Sequence, residues 1–255
     1  MNILKKFENW KVLSIIKKHP VRFSQWKDIR QLACISHMSA VEKARLRVLT
    51  SMLLQQKIFV GVQGLELSSE MKLLIATQAC VPILKLGLNY YSTFTQISVY
   101  PTAFWVEREI IDASGVIHTS KALLAGEAWS HGPVILSWDD IMKDLQEDNA
   151  GHNVIIHEFV HKIDMLNTGA NGVPPFSANI SSEEWGQVFR NAFERLSRNI
   201  RLNRKLCLNA YGATSPAEFF AVVSEYFFTN PQHLSQHYPK VYHELTLFYG
   251  QDRAE

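Results

Sequence analysis

The sequence predicts an α+β fold, on the evidence of three successive patterns. From about residue 22 to 90, apolar residues recur at helical spacing. From about 91 to 138, short segments are rich in β-branched and aromatic residues. Helical spacing returns from about 152 to 250. We therefore expect a small sheet with helices before and after it, in a single domain over residues 22–255.

Composition limits the class of protein. The chain has 255 residues, 47% of them apolar, and a formal net charge of +2. It can bury a substantial core, and its charge gives no overall indication of direct nucleic-acid binding. Five lysines within the first twenty residues mark 1–21 as a basic leading segment without an assigned role. The longest apolar stretch, 73–88, contains Gln78, Pro82 and Lys85, which argues against stable membrane insertion.

Cysteine usage indicates the cellular compartment. Cys34, Cys80 and Cys207 are odd in number and form no C-x-x-C pair, so neither a disulfide framework nor a thiolate zinc site is expected. The first residues also lack the continuous apolar run that an export signal needs. We therefore expect the protein in the cytoplasm.

The first helices and the strands can be placed by their local signals. Ser39 and Glu42 form a capping-box pattern before a helix that runs to Gln56, and a second helix is expected from about 68 to 86, bent near Pro82. The predicted strands are TQISVYP, FWVERE, GVIHTS and GPVILSW. The last of these, 132–138, is either an exposed edge that receives an extended peptide or an interior strand.

The second half of the chain is predicted to be helical. Helices are expected at 153–167, from 181 or 182 to about 199, from Ser215 onwards, and over 239–249. The segment TGANGVPPFSANI, which follows the first of them, is rich in Gly, Pro, Asn and Ser and is expected to be a loop.

The first of these helices contains His157-Glu158-x-x-His161. Histidines at i and i+4 share one face of a helix, so both can bind one cation. Glu158 directly follows the first histidine, where its carboxylate can act as general base on a metal-bound water. The neighbouring residues are apolar around almost the whole helix, so these polar groups should be buried and need partners. One Zn²⁺ per chain is expected, and the alternative is a helix with two ordinary histidines.

A catalytic zinc site with two histidines needs a third protein ligand. Asp164 and Asn167 stand where a metzincin would have Gly and the third ligand, so a glutamate from a later helix is expected. Glu218 lies in the first turn of an apolar helix that should pack in the core, but Ser215-x-x-Glu218 is also a capping box. Glu225 is the rival ligand or a partner of a ligand, and Asp164 either orients an imidazole or forms a hydrogen bond at the helix end. The glutamates considered are Glu183, Glu184, Glu194, Glu218, Glu225 and Glu244.

Four segments of the chain follow one another in the order of a known family: LLQQKIFVGVQGLEL, GPVILSW, IIHEFVHKIDMLN and AYGATSPAEFFAVVSEYFF. Over roughly 22–251, the chain resembles the Mlc titration factor A family of zinc metallopeptidases. The part from AYG to EFFA also resembles the catalytic domain of anthrax lethal factor. The resemblance implies a zincin-like, gluzincin-type core with a small mixed sheet and the HExxH helix, preceded by a helical N-terminal part. No shared motif is identified in 1–21.

The resemblance also implies roles for individual residues. Zinc would be held by His157, His161 and Glu218, Glu158 would be the base, and Tyr211 would be a catalytic tyrosine. The expected function is hydrolysis of peptide bonds, together with binding of the Mlc transcriptional repressor, which controls sugar uptake. Two alternatives stay open: a non-catalytic zinc-containing protein that sequesters a repressor, and a zinc hydrolase with a substrate other than peptides.

Overall fold

The N-terminal part is largely helical, as predicted. The computed structural model describes residues 21, 23–102, 104–111, 117–124, 126–128, 132–146, 151–167, 169–177 and 180–254. This part contains α1 (Phe23–Ile29), α2 (Ala33–Ser36), α3 (Ala40–Gln56), β1 (Ile58–Gly61) and α4 (Ser69–Ala79). Helix α3 begins with the predicted capping box, in which the side chains of Ser39 and Glu42 each accept the other residue's N–H. Strand β1 was not predicted.

Helix α4 ends at Ala79, so the prediction of a bent helix reaching about residue 86 is wrong. Pro82 has no N–H to continue the helical ladder, and its ring disfavours helical backbone angles at Val81. The chain turns here instead, and the N–H of Cys80 caps the helix by donating to the carbonyl of Ala76.

The sheet is small and mixed, as expected. Its strand order is β1-β2-β6-β5, and the hairpin β3-β4 forms a separate two-stranded sheet. Strands β1, β2 and β6 are parallel, with Ile97 opposite Val134, whereas β5 runs antiparallel, with Gly126 opposite Leu136. The strands are β2 (Gln96–Tyr100), β3 (Phe104–Ile111), β4 (Ile117–Leu124), β5 (Gly126–Ala128) and β6 (Val134–Ser137).

Strand β6 lies inside the sheet, so the interior alternative for segment 132–138 is the correct one. Its neighbours are β2 on one side and β5 on the other, and all four of its residues are buried. A continuous apolar run is typical of a strand that is covered on both faces. Among the described strands, β5 forms the edge of the sheet next to β6.

The C-terminal helices surround one buried helix. Helix α6 packs against α4, α8, β5 and β6, and all its residues are buried, as predicted. The ring of Trp185 stacks on that of Phe189, with 4.1 Å between the ring centroids, and it also contacts the edges of the Phe220 and Phe248 rings. These contacts join the three helices that carry the four residues. The helices are α5 (Trp138–Gln146), α6 (Val154–Asp164), α7 (Ser182–Arg201), α8 (Pro216–Thr229), α9 (Pro231–His237) and α10 (Pro239–Tyr249).

The α+β class and the helical parts are therefore confirmed, although the short helix α9 was not predicted. The basic leading segment 1–21, apart from the buried residue Val21, lies outside the described residues. Of the helices that the structure describes, none combines the length and the apolar composition needed to cross a bilayer.

Candidate metal centre

Helix α6 begins at a point fixed by several hydrogen bonds. The side chain of Asn153 caps the helix by accepting the N–H of Ile156 at 2.9 Å. The N–H of Asn153 donates to Glu225 Oε2 at 2.6 Å, and that of Val154 donates to Asp144 Oδ2 at 2.7 Å. Carboxylates match the partial positive charge of a helix N-terminus, so these bonds set where the two histidines lie.

The two histidines of α6 converge on one carboxylate. Nε2 of His157 lies 2.9 Å from Glu218 Oε2, and Nε2 of His161 lies 3.3 Å from the same oxygen. The two Nε2 atoms are 3.1 Å apart, and one ligand atom from each of the three residues lies within 4.8 Å of the other two. The structure thus brings together the three residues predicted as ligands, and two nitrogens with one carboxylate oxygen form a donor set of catalytic zinc sites.

Glu218 forms only half of the expected capping box. The hydroxyl of Ser215 accepts the Glu218 N–H at 3.2 Å, but the Glu218 carboxylate is turned towards the histidines and does not return a bond to Ser215 N–H. Capping therefore explains its backbone and not its side chain. Burial opposes ionisation of this carboxyl, yet hydrogen bonds with His157 and His161 hold its pKa well below the usual range.

Glu225 contacts the opposite side of the His157 ring. Its Oε1 lies 2.7 Å from Nδ1, so Nδ1 can donate its proton to Glu225 while Nε2 faces Glu218. Glu225 is therefore placed as a partner of His157 and not as a rival to Glu218. Burial alone would lower the pKa of His157, but the carboxylates of Glu225 and Glu218 raise it well above its ordinary value. The site thus favours positive charge.

Glu158 is buried, with 5% of its surface exposed. Its Oε2 has no hydrogen-bond partner in the described part of the chain. Burial raises the pKa of this carboxyl to about 7, although the charges of His157 and His161 oppose the shift. A carboxyl that gains and loses a proton near neutral pH suits a general base.

Tyr211 lies at the rim of the same site. Its ring centroid is 5.9 Å from that of His157, and 45% of the residue is exposed. It belongs to the 3-10 turn Ala210–Ala213, where its N–H donates to the side chain of Asn209 at 2.9 Å. The turn packs against α7 and α8, which places the predicted tyrosine beside the ligands.

Asp164, the last residue of α6, forms a hydrogen bond with the loop that follows the helix. Its Oδ2 accepts the N–H of Gly172 at 2.8 Å, and the carbonyl of Gly172 accepts the indole N–H of Trp185 at 2.9 Å. Of the two roles considered, a hydrogen bond at the helix end is the one observed. Burial raises the pKa of Asp164 to about 6, against the effect of the Gly172 N–H and the His161 ring. Among the described residues, Asp164 Oδ1 and His161 Nδ1 are buried without partners.

The remaining glutamates that were considered do not join this group. In the described part of the chain, only Glu218 converges with His157 and His161 in a potential metal-binding group. Glu183, Glu184 and Glu194 are exposed on α7, and Glu244 is buried in α10.

Two supporting residues were missed by the sequence analysis. Asp144 holds Val154 and also lies 2.6 Å from Nδ1 of His152, while Lys162, fully buried, donates to the carbonyl of Gly132 at 2.8 Å. Burial lowers the pKa of Lys162 to about 8. The signal for Lys162 was its place in an otherwise apolar buried helix. No local pattern indicates Asp144.

Comparison with known proteins agrees with this geometry. A family model described as glucose-regulated metallo-peptidase M90 matches residues 7–250. The chain belongs to this family. The M90 match confirms the resemblance seen in the sequence, and it begins at residue 7, inside the segment 1–21 in which no shared motif was identified.

M90 membership is supported by relatives that span nearly the same length. Proteins named Mlc titration factor A are 38% identical in Serratia proteamaculans, 36% in Salmonella arizonae and 34% in Yersinia pestis. Each similarity extends over 232 residues and 90% of this chain, and it covers 87%, 92% and 85% of the respective relative.

The residues present fit the metal that an M90 metallo-peptidase requires. Nε2 of His157, Nε2 of His161 and the ionised carboxylate of Glu218 lie 2.9–3.3 Å from one another. Such electron-rich atoms are stable at this separation when they share a cation or a proton. The site is therefore a candidate metal centre formed by two histidines and one glutamate.

Proposed function

We propose that this chain is a zinc-dependent peptidase whose single catalytic domain spans residues 22–255. The observation that carries the proposal is the convergence of His157, His161 and Glu218 beside the buried Glu158. Two nitrogens and one oxygen suit Zn²⁺, which keeps a fourth position for water or substrate in catalytic sites. The description of the family as a metallo-peptidase supports the same class of activity.

The side chains divide the chemistry among them. Zinc, when bound, supplies a water of lowered pKa and polarises the substrate carbonyl. Glu158 accepts the proton of the attacking water and returns it to the leaving amine. The hydroxyl of Tyr211 donates a hydrogen bond to the oxyanion that develops on the carbonyl. Glu225 fixes the His157 ring in the tautomer that ligation needs.

An extended peptide would lie along β5. This strand forms an edge of the sheet among the described strands, and the helix that carries both histidines packs directly against it. Backbone groups on the outer side of an edge strand can bind a peptide regardless of its side chains. Segment 132–138, the other candidate for the substrate edge, lies inside the sheet.

A peptide library incubated with the purified protein tests the proposal, with cleavage products identified by mass spectrometry. We expect hydrolysis that stops with a chelator, returns with added zinc, and is lost in Glu158→Gln. The matched control is Glu244→Gln, which changes another buried glutamate outside the site. Cleavage that survives both the chelator and Glu158→Gln would show that the activity does not come from this centre.

The name of the relatives supports a second proposal. Each is called a titration factor for Mlc, and each matches 90% of this chain. We propose that this chain also binds an Mlc-type repressor in the cytoplasm, where its three free cysteines stay reduced. Isothermal titration of purified repressor with wild-type and Glu158→Gln protein tests this. Equal binding by both would separate the interaction from hydrolysis, and the absence of binding would reject it.

A further inference from the structure

A basic and apolar surface covers the C-terminal end of α7. Four cationic and two aliphatic residues form it, all of them exposed: Arg198, Ile200, Arg201, Leu202, Arg204 and Lys205. We call these six residues the α7-end patch. Ile200 is 38% exposed and Leu202 54% exposed. No Asp or Glu occurs in the sequence between Arg195 and Glu218, and the acidic residue before this interval, Glu194, lies one turn before Arg198.

The four cations of the patch have no ion-pair partner in the described structure. The preceding arginine differs, because Arg195 donates to the carbonyl of His237 and lies over the ring of Tyr238. A helix C-terminus favours Arg198 and Arg201, but Arg204 and Lys205 lie beyond the helix. Like charges so close together repel one another, and a ligand of opposite charge would relieve that repulsion.

The patch is built on a fixed turn. Asn203 adopts a left-handed conformation with φ of 49°, the N–H of Arg204 donates to Asn199 at 2.9 Å, and the N–H of Asn203 donates to Ile200 at 3.0 Å. These two bonds form a Schellman motif, which ends a helix with a defined geometry. The backbone of Leu202 and Arg204 is thereby held in one conformation, which lowers the entropy cost of binding.

The patch is connected to the candidate metal centre by a short length of chain. Lys205 is six residues before Tyr211, so the chain between them spans roughly 20 Å at most. The turn that carries Tyr211 packs on α7, where a side chain added at Gly212 would come within 3.5 Å of Leu196. Tyr211 in turn lies 5.9 Å from the His157 ring, between centroids. A chain bound at the centre can therefore reach the patch.

We propose that the α7-end patch binds an acidic segment of the peptide substrate, with Leu202 contacting an apolar side chain of that segment. The inference rests on the proposed peptidase function and adds a substrate class: polypeptides that carry Asp or Glu beside the cleaved region. Nucleic acid fits less well, since the patch has no aromatic ring on which a base could stack. The net charge of only +2 agrees with that choice.

The test compares two labelled peptides that share a central sequence and differ only in an acidic or a basic flank. Binding is measured by fluorescence anisotropy with the zinc-loaded Glu158→Gln chain, so that neither peptide is cleaved. We expect the acidic peptide to bind about 10-fold more tightly, and the preference to weaken with added salt. Arg201→Glu with Arg204→Glu should abolish the preference. The control variant is Arg45→Glu with Lys240→Glu, at exposed sites on α3 and α10. It makes the same change in net charge and should retain the preference for the acidic peptide.

A charge-preserving variant tests the apolar part of the patch. Leu202→Ser should weaken binding of the acidic peptide by about 3-fold, because an aliphatic contact is lost while every charge is retained. Thermal unfolding of each variant shows that the fold is intact. Equal loss of preference in the patch and control variants would overturn the proposal. So would a patch variant that loses binding of an oligonucleotide but keeps its preference for the acidic peptide.

This measurement is independent of hydrolysis, so it separates the two proposals. Acidic preference that maps to the patch, in a chain without chelator-sensitive cleavage, would reject the peptidase function and support the patch as a binding surface. Chelator-sensitive cleavage that is indifferent to acidic flanks would support the peptidase and reject the patch.

Discussion

Glu225 holds the imidazole of His157 through Oε1, 2.7 Å from Nδ1, while its second oxygen accepts the N–H of Asn153 at 2.6 Å. One buried carboxylate therefore fixes both the start of helix α6 and the orientation of a ligand on that helix. Partners of this kind set the tautomer of the imidazole and raise its basicity.

Replacing Glu225 by Gln should weaken zinc binding by about 10- to 100-fold, because a neutral amide holds the His157 proton less strongly. Competition with a chromophoric chelator measures the zinc Kd. Glu244→Gln is the matched control, since Glu244 is also buried but lies outside the group. A Kd that changes equally in both variants would mean that Glu225 acts only through general stability.

Glu158→Gln and Glu218→Gln should separate the base from the ligand. The first should retain about one zinc per chain and lose about 10²- to 10⁴-fold in kcat, because an amide cannot accept the proton of water. The second should lose zinc itself. Atomic emission measures the metal content of each variant, and kcat is measured on a cleaved peptide. Normal zinc content in Glu218→Gln would show that Glu218 is not a ligand and acts only at the start of its helix.

The pair His152 and Asp144 should make stability depend on pH. The hydrogen bond to Asp144 raises the pKa of His152 to about 9 in the folded chain, above its ordinary value of 6.5. The charged form is thus favoured by folding, so its contribution is complete below pH 6.5 and is lost as pH rises through 9. Because His152 is partly exposed, solvent screening reduces the contribution to about 1 kcal/mol.

Urea unfolding at about pH 6 and about pH 10 measures this difference. His152→Gln should remove it, whereas His243→Gln, an exposed change on α10, should leave it as it is in the wild type. A pH dependence that is identical in both variants would assign the effect to other groups.

Gly172→Ala should destabilise the loop that follows α6. Gly172 has φ of +77°, and an added Cβ would lie 2.6 Å from the carbonyl oxygen of Pro216 at the start of α8. Gly169 also has a positive φ, of +108°, but an added Cβ there meets nothing within 4 Å. Gly169→Ala should therefore cost about 1 kcal/mol from backbone strain alone, and Gly172→Ala about 2 kcal/mol more. Thermal unfolding compares them, and equal losses would contradict the steric argument.

Local patterns predicted the histidine helix because all its information lies within one turn. His157, Glu158 and His161 are fixed relative to one another by helical spacing, and Asn153 caps the helix three residues before Ile156. The end of helix α4 was not predicted correctly from its local pattern. The helix ends at Ala79 instead of bending, because Pro82 has no N–H to donate along the helix and disfavours helical backbone angles at Val81.

The rest of the site depends on tertiary packing. Glu218 and Glu225 lie on one helix, two turns apart, and only the docking of α8 on α6 decides which of them faces Nε2 and which faces Nδ1. Strand β5 has only three residues, too few for a recognisable alternation, so the sequence did not predict it. Without β5, nothing in the sequence showed that β6 has a neighbouring strand on both sides.

The sequence separation within the centre has a consequence for the order of folding. His157 and His161 are four residues apart, but Glu218 is 61 residues and Glu225 is 68 residues from His157. Of the three ligands of this centre, an unfolded chain holds only the histidine pair close together, so tight zinc binding at the centre must wait until α6 and α8 meet. Metal capture should therefore be a late event in refolding, and zinc release should be an early signal that these two helices have separated.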